Sequence, residues 1–416
     1  MTLPYDALES RPAPQRERAL MAALPRLIAH AKATTPYYTR ALADVDPAAV
    51  KTRAALAALP LTRKSALIDL QAGEPPFGGL VPRGAVLGRI LQSPGPIYDP
   101  EGARPDTWRM ARALFAAGVR GGDLVHNTFS YHFTPGGWIF DDGARALGCR
   151  VFPAGTGQTE QQIQAMTALR PGVYTGTPSF LAILLDKADQ AGADVSSLRV
   201  GLVSGEAYLP AQRAAFKARG IMVSQCYCTA DLGLIAYEAP DAEGNALGMI
   251  LDEGLILEIV RPGTGDPVAP GEVGEVVITT FTPEYPLIRF ATGDLSAVLT
   301  EVPPDERTNV RLKGWMGRAD QTTKVKGMFV HPEQVAEVTR RHPELLRARL
   351  VVSREGEAGP DLMTLICETN DGTGPAEAVG ETTRALTKLR ATIAFTRPGT
   401  LPNDGKVIED TRAVPG

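Results

Sequence analysis

The feature that most constrains the fold is a regular alternation of strand-like and helix-like segments between residues 107 and 228. Amphipathic stretches separate apolar runs of strand length at 123–129, 149–155, 172–178, 198–205 and 221–228. Strand–helix repeats of this length favour right-handed βαβ units and a mostly parallel sheet. Ligands bind at the carboxyl ends of the strands in such sheets, so the sequence predicts a binding site at that edge.

The segments on either side of this alternation have different patterns. Helical spacing of apolar residues over 16–70 precedes a Gly- and Pro-rich segment at 72–105, and short strands with turns over 233–300 indicate a β subdomain. The last hundred residues predict strands near 323–330, 347–354 and 362–369, and helices over 331–342 and 377–392. We expect an α/β protein whose large N-terminal domain has mostly parallel sheets and a β subdomain, plus a small mobile C-terminal α+β domain.

Length and composition exclude several classes of function. The 416 residues are too many for one ordinary core and indicate two or three domains. The net charge of −4, with scattered Lys and Arg, argues against nucleic-acid or anionic-membrane partners. No apolar run approaches the roughly 20 residues of a membrane span. Four cysteines and a polar N-terminus predict a cytoplasmic protein without disulfides.

Two of the cysteines, Cys226 and Cys228, form a C-x-C pair. A metal site would need further ligands at suitable spacing, and His126 and His132 are distant in the sequence. We therefore expect buried structural cysteines. His132 itself is either a core histidine or a substrate contact.

Six short motifs follow one another in a fixed order. They are 129-FSYHFTPGGWIFDDGARALGC-149, 203-VSGEAY-208, 225-QCYCTADLG-233, 286-PLIRFATGDLS-296, 317-GRADQTTKVKG-327 and 401-LPNDGKV-407. Each alone also fits a turn, a hairpin or core packing. Together, over about residues 90–410, they resemble the adenylate-forming (ANL) superfamily, and most closely the phenylacetate–CoA ligases.

The resemblance implies roles in nucleotide binding for residues of four motifs. Tyr227 stacks on adenine, and Asp294 accepts hydrogen bonds from both ribose hydroxyls because a carboxylate offers two acceptor oxygens. Arg318 contacts ribose or phosphate. Asp231 replaces the usual glutamate that acts on Mg²⁺ with the phosphates, and Ala230 replaces a hydroxyl residue. The remaining nucleotide-binding positions are Ser204, Gly205, Glu206, Ala207, Cys228 and Thr229.

The C-terminal motifs imply a lid that changes orientation. The resemblance places the domain boundary between 1–319 and 320–416, with Asp320 as the hinge. It places Lys324, Lys326 and Gly327 along the path of the thiol donor. Lys406 would act in catalysis, because a lysine charge stabilises the negative charge that gathers in the adenylation transition state.

The first motif resembles the acyl pocket of phenylacetate ligases. Aromatic rings and glycines suit a flat aryl acid by stacking and by close backbone approach. The candidate lining residues are Tyr131, Phe133, Gly136, Gly137 and Trp138. Ordinary core packing is the alternative for each of them.

One segment, 92-QSPGPIYDPEG-102, departs from the family pattern. The family carries Ser-Ser/Thr-Gly-Thr-Thr-Gly-x-Pro there, and backbone N–H groups of that loop wrap the triphosphate. Only Ser93 and Gly95 match, and Pro94 and Pro96 remove two N–H donors. A carboxylate at Asp99 or Glu101 would repel a triphosphate unless Mg²⁺ intervenes.

The sequence therefore predicts an AMP-forming acid–CoA ligase that uses ATP, Mg²⁺ and CoA. An aryl acid resembling phenylacetate is the expected substrate. Two alternatives remain open because of the altered loop: a homologue with another acyl acceptor, such as a carrier protein, and a non-catalytic protein that binds AMP or an acyl ligand. The resemblance suggests a homodimer.

Overall fold

A computed structural model describes residues 3–93, 96–241, 244–301, 306–319, 321–325, 328–354 and 361–412. The helices are α1 (Ala13–Thr34), α2 (Pro36–Ala41), α3 (Arg53–Ala57), α4 (Leu67–Gly73), α5 (Met110–Ala116), α6 (Gly136–Ala146), α7 (Thr159–Leu169), α8 (Pro178–Ala191), α9 (Pro210–Ala218), α10 (Pro332–Arg341) and α11 (Ala376–Thr387).

The strands are short, as expected for this fold class. They are β1 (Thr62–Arg63), β2 (Leu87–Ser93), β3 (Ile97–Gly102), β4 (Leu124–Asn127), β5 (Arg150–Pro153), β6 (Val173–Gly176), β7 (Val200–Val203), β8 (Met222–Thr229), β9 (Gly233–Tyr237), β10 (Met249–Leu251), β11 (Leu255–Val260), β12 (Gly274–Thr280), β13 (Phe290–Ser296), β14 (Arg311–Leu312), β15 (Thr323–Val325), β16 (Met328–Val330), β17 (Arg347–Arg354), β18 (Asp361–Glu368), β19 (Thr392–Thr396) and β20 (Ile408–Asp410).

The chain folds into two compact units. Unit 1 comprises Met1–Leu257, Ile278–Phe290 and Leu299–Trp315, and unit 2 comprises Glu258–Val277, Ala291–Val298 and Met316–Gly416. Strands β11, β12 and β13 join β1 in a four-stranded sheet with the order β1-β13-β12-β11. Asp320, the predicted hinge, lies outside the described residues, so the boundary at 319/320 stays a prediction.

An eight-stranded sheet of order β14-β10-β9-β8-β7-β6-β4-β5 dominates unit 1. Neighbours among β5, β4, β6, β7 and β8 pair in parallel, which confirms the mostly parallel sheet expected from the strand–helix alternation. The β9, β10 and β14 strands pair antiparallel at its edge. β9 and β10 fall within the predicted β subdomain and β14 lies beyond its end, but all three extend the main sheet, because Gly233 turns the chain back beside β8 with φ of 68°.

The parallel strands are buried on both faces. One face packs on α5 and α6 through Met110, Leu114 and Phe140. The other packs on α7, α8 and α9 through Met166, Leu184 and Phe216. Fully covered parallel strands explain the near-continuous apolar runs in the sequence. Polar side chains are therefore concentrated where the strands end.

A buried charge network anchors the N-terminal segment of unit 1. The Glu9 side chain, fully buried, accepts from Arg112 (3.0 Å), Arg307 (2.9 Å) and the Tyr237 hydroxyl (2.7 Å). A buried carboxylate is tolerated only when it is paired and hydrogen-bonded in this way. Residues near the start of the chain are thus fixed to α5, to β9 and to the segment before β14.

The C-terminal part of unit 2 has its own core. The sheet of order β19-β18-β17-β20 packs on α10 and α11 through Val335, Val338, Leu350 and Val379. The predicted single strand over 323–330 is wrong, since β15 and β16 are two antiparallel strands. The predicted helix over 377–392 ends at Thr387, and residues 392–396 form β19 in parallel with β18.

Across the described ranges, no helix has both the length and the apolar character needed to cross a membrane.

We expect one buried histidine to make the stability of unit 1 depend on pH. His126 is 1% exposed, its Nε2 lies 2.9 Å from Gln162 Oε1, and burial lowers its pKa. The folded pKa is below the unfolded value, so this stability is present above about pH 6.5 and is lost as the pH falls through the folded pKa. The melting temperature of His126→Gln should therefore fall less than that of the wild type when the pH is lowered from 7 to 5.

Thermal melts followed by circular dichroism measure this difference. His30→Gln, on the partly exposed His30 of α1, is the matched control and should retain the wild-type pH dependence. Identical pH profiles for the wild type and His126→Gln would contradict the assignment.

Candidate active site

The carboxyl end of β7 carries the predicted segment 203–208. Ser204 is buried and its hydroxyl donates to the Cys226 carbonyl (2.8 Å). Gly205 has a φ of 86°, and the Glu206 carboxylate accepts from the Ser179 N–H (2.6 Å) at the start of α8. Gly205, Glu206 and Ala207 are exposed. The strand therefore ends in a fixed turn that presents backbone to solvent.

The neighbouring strand end, on β8, carries Tyr227, Cys228 and Thr229, all half-buried. The Thr229 hydroxyl accepts from the Leu232 N–H (3.2 Å), which orders the turn toward Asp231. Burial raises the pKa of Cys226, and the contact with Cys226 lowers the pKa of Cys228. Both thiols are free, and the described residues contain no cluster of three or more potential metal ligands.

The segment expected to be an open loop is a β-hairpin. The β2 and β3 strands pair antiparallel, with Ser93 opposite Ile97 and Leu91 opposite Asp99. The Gln71 side chain of α4 holds Tyr98 by two hydrogen bonds (2.8 and 2.9 Å). Ser93 is buried, and its hydroxyl donates to the Ile97 carbonyl (3.5 Å). Gly95 lies outside the described residues.

The inward face of this hairpin carries two buried carboxylates. Asp99 is 0% exposed and Glu101 is 3% exposed. Burial, and to a smaller extent the negative charge of Asp231, raises the pKa of Asp99 to about 8. Burial, then Asp142, raises the pKa of Glu101 to about 7, although Glu101 is paired with Arg89 on the opposite strand. The sequence singled out both carboxylates in this segment but did not indicate that they are buried.

Asp231 forms an ion pair with Lys64. Lys64 also lowers the pKa of Asp99 electrostatically, so one ammonium group serves two carboxylates. No sequence pattern indicates Lys64, because it lies in a stretch where apolar residues follow helical spacing. A short 3₁₀ turn, Lys64–Ala66, brings it to the carboxylates.

In unit 2, Asp294 and Arg318, both predicted nucleotide contacts, lie together. Arg318 Nη1 donates to Asp294 Oδ1 (2.8 Å), and the two residues form an isolated antiparallel bridge. Gly293 between β13 residues has a φ of 76°, and a Cβ there would lie 2.6 Å from the guanidinium. A larger residue would strain the backbone at this positive φ and displace the guanidinium, so glycine favours this pairing.

Lys406 lies on an anchored turn of unit 2 with its side chain exposed. Asp404 accepts from the Lys406 N–H (3.1 Å), and Asn403 accepts from the Val273 N–H (2.9 Å). Gly405 has a φ of 72°, and a Cβ there would lie 2.8 Å from Val273. The backbone is thus fixed while the ammonium group is free to reach a ligand.

The remaining lid residues are only partly described. Lys324 belongs to β15, opposite Phe329, and its side chain lies outside the described part of the chain. Lys326 and Gly327 lie outside it entirely, as does Asp320. Their predicted roles along the thiol path stay predictions.

The aromatic segment after β4 is more polar than its motif indicated. The Tyr131 hydroxyl donates to Asp141 (2.8 Å) and accepts from Asn127 (2.7 Å). Its ring packs edge-on against Trp138, and the Arg89 guanidinium lies 4.0 Å from the centre of the Trp138 ring. Tyr131 therefore combines an aromatic surface with a buried polar network.

The other candidate pocket residues differ in exposure. Phe133 is 65% exposed with a φ of 62°, and His132 is exposed as well. A Cβ on Gly137 would lie 2.7 Å from the Ser130 carbonyl, whereas Gly136 has only ordinary contacts. Close backbone packing thus requires glycine at Gly137 independently of any ligand.

Comparison with known proteins identifies similar chains. Residues 131–282 match the family described as AMP-binding enzyme. A phenylacetate-coenzyme A ligase of Aromatoleum evansii is 34% identical over 360 residues, covering 82% of this chain and 79% of that protein. The phenylacetate-coenzyme A ligase of Thermus thermophilus is 32% identical over 370 residues, with coverages of 85% and 80%.

Solved structures share the fold. A 2-hydroxyisobutyryl-CoA ligase in the postadenylation state, in complex with R3-HIB-AMP, aligns with a TM-score of 0.71 at 23% identity, covering 98% of this chain and 92% of that one. The same ligase with 2-HIB-AMP and CoA in the thioesterification state gives 0.68. At this identity the likeness confirms the α/β fold and carries no argument about substrate.

Removal of Lys64 should destabilise unit 1. Lys64→Met leaves the buried Asp231 carboxylate without its counter-ion, which costs on the order of 3 kcal/mol in unfolding free energy. The double variant Lys64→Met/Asp231→Asn should recover most of that loss, because the unpaired charge is then absent. Urea unfolding monitored by fluorescence measures both effects.

Lys51→Met, at an exposed lysine of the same unit, is the control and should stay close to the wild type. Additive losses in the double variant would show that the two side chains do not interact.

Proposed function

Because the chain belongs to the phenylacetate–coenzyme A ligase family of AMP-binding enzymes, we propose that it joins a carboxylic acid to coenzyme A through an acyl-adenylate. The observation that carries this proposal is the 34% identity extending over 82% of the chain. The acid and ATP would give the acyl-adenylate and pyrophosphate. The thiol of CoA would then attack the acyl carbon and release AMP.

We assign nucleotide binding to the strand ends and to the β13 pair. The exposed backbone of Gly205, Glu206 and Ala207 suits the adenine edge, with Tyr227 as the stacking ring. Asp294 is the acceptor for the ribose hydroxyls, and Arg318, half-exposed, is a donor to ribose or phosphate. Ser93, Ser204, Cys228 and Thr229 complete the proposed set.

The residues present also fit Mg²⁺. Asp231 Oδ1 has no hydrogen-bond partner among the residues that the structure describes, and carboxylate oxygen is the ligand that Mg²⁺ prefers. Bound there, the cation would neutralise charge on the phosphates. Asp231 would hold it, and Lys64 would remain as the second positive charge beside it.

Lys406 is the proposed catalytic lysine for adenylation. Its ammonium group is exposed on a rigid turn, so it can meet the carboxylate of the acid and the α-phosphate without rearranging its backbone. Asp320 is the proposed hinge, and Lys324, Lys326 and Gly327 the proposed thiol path. These assignments come from motif resemblance.

An aryl acid is the proposed substrate class. Tyr131 and Trp138 pack edge-on and Phe133 is exposed, which suits a flat ring. Arg89 and the Tyr131–Asp141 pair add polar groups to this surface, so an aryl acid with a polar substituent is favoured over an unsubstituted one. A homodimer is the proposed assembly, which sedimentation velocity tests.

A second candidate function rests on the hairpin. Two buried carboxylates stand where the family has a donor-rich phosphate loop, so a homologue that binds AMP and an acyl group without using ATP is the alternative. A shift in melting temperature with AMP but not with ATP–Mg²⁺ would favour it, because a ligand that binds only the native state raises that temperature.

The principal test measures pyrophosphate release and thioester formation with phenylacetate, hydroxylated phenylacetates, benzoate and fatty acids. We expect both products with at least one aryl acid, and a higher kcat/KM for a hydroxylated acid. The absence of pyrophosphate with every acid would contradict the ligase proposal.

Substitution of the proposed catalytic lysine should separate the two half-reactions. Lys406→Gln should slow adenylation by about 10²- to 10³-fold, because the charge at the transition state is lost. Thioester formation from supplied acyl-adenylate and CoA should change far less. Lys388→Gln, at an exposed lysine of the same unit, is the matched control. Equal losses in both half-reactions would contradict the assigned role.

A further inference from the structure

Two carboxylates in unit 1 share one cation and keep unused oxygen atoms. Asp99 is 0% exposed, and neither of its carboxylate oxygens has a hydrogen-bond partner within the described ranges. Asp231 is 3% exposed; its Oδ2 pairs with Lys64 and its Oδ1 has no partner there. Buried polar atoms are nearly always satisfied, so unsatisfied ones indicate a missing ion or water.

Other groups around these carboxylates show the same deficit. The Tyr285 hydroxyl is buried and lacks a partner among the described residues, and both Asp99 and Asp231 raise its pKa after burial itself. A cavity of about 10 Å³ is lined by Asp231, Tyr285 and Pro100. That is space for one water-sized group. Two of the residues with unsatisfied oxygens, Asp231 and Tyr285, therefore line one small cavity, and Pro100, which follows Asp99 in the chain, lines it too.

The hairpin explains why a second carboxylate is present here. The loop it replaces would offer N–H groups to phosphate, and Pro94 and Pro96 cannot do so. Asp231 is also one methylene shorter than the glutamate of the family pattern. Lys64 is already paired with Asp231, and burial raises the pKa of Asp99, so the site as it stands has no net positive charge to attract a polyphosphate.

We propose that Asp99 and Asp231 together bind a divalent cation of the Mg²⁺ class, with water and nucleotide phosphate oxygens as its other ligands. Mg²⁺ typically binds one or two carboxylates and keeps several waters, whereas Zn²⁺ and Ca²⁺ sites draw on more protein ligands. No group of three or more His, Cys, Asp or Glu ligands occurs in the described part of the chain, which matches Mg²⁺.

The cation would make the site positive. Lys64 and a divalent cation together outweigh the two carboxylates even when both are ionised, so the hairpin gains an attraction for phosphate that it lacks without the metal. Asp99 is then the replacement for the lost N–H donors. Only the naming of phosphate as a ligand rests on the proposed function; cation binding by the two carboxylates does not.

The test is direct titration of the full chain with Mn²⁺ followed by electron paramagnetic resonance, and with Mg²⁺ by calorimetry. Both are done without nucleotide and with a non-hydrolysable ATP analogue. Asp99→Asn should weaken cation binding by about tenfold or more in at least one of these conditions, because one of the two protein ligands is lost.

Glu101→Gln is the matched control. Glu101 lies on the same strand and the same inward face, but it pairs with Arg89 and not with Lys64. The cation affinity of the Glu101→Gln variant should stay within about twofold of the wild type, since Glu101 lies outside the proposed site. Unchanged affinity in Asp99→Asn under both conditions would overturn the proposal, as would an equal loss in Glu101→Gln.

Melting temperatures separate a lost ligand from a lost fold. Without metal, Asp99→Asn should melt at or above the wild-type temperature, because a buried unpaired carboxyl group has been removed. Mg²⁺ should raise the melting temperature of the wild type more than that of the variant. The ligase assay can fail with every acid while these binding differences persist, so the two proposals fail separately.

Discussion

The burial of the parallel strands on both faces is the constraint on which unit 1 depends. Helices α5 and α6 cover one face and α7, α8 and α9 the other, so side chains along β4, β6 and β7 are either apolar or, like His126, hydrogen-bonded inside the protein. Polar chemistry open to a ligand is then possible only where the strands end. Asn127, Ser204 and Tyr227 all lie at such ends, and the candidate site follows from the layering of the fold.

The hairpin of β2 and β3 shows how a site can be rebuilt without changing that layering. Its inward face alternates Arg89 with Leu91 on one strand and Asp99 with Glu101 on the other. A donor-rich loop binds phosphate with backbone N–H groups, whereas the backbone groups of β2 and β3 are used for hydrogen bonds between these two strands. Side chains must then supply what the backbone no longer offers, and here they are carboxylates that require a cation.

The sequence predicted the parallel sheet, because strands buried on both faces appear as short apolar runs between amphipathic helical segments. It assigned Asp294 and Arg318 to nucleotide binding from two separate motifs, but their ion pair with each other is visible only in the structure. It did not predict the hairpin. The prolines and glycines of this segment indicate a loop, and they hide the strand-like alternation of Arg89 with Leu91 and of Asp99 with Glu101. Nor did it indicate Lys64, whose distance from Asp231 in sequence hides an ion pair that only tertiary folding creates.

The buried Glu9 network has a consequence for how the chain is made. Glu9 leaves the ribosome before its partners Arg112, Tyr237 and Arg307, the last of which follows it by 298 residues. The carboxylate must stay hydrated until the last of them has been synthesised, because burial without them would be costly. Unit 1 can therefore close only late in translation, and until then its N-terminal segment remains open to chaperones.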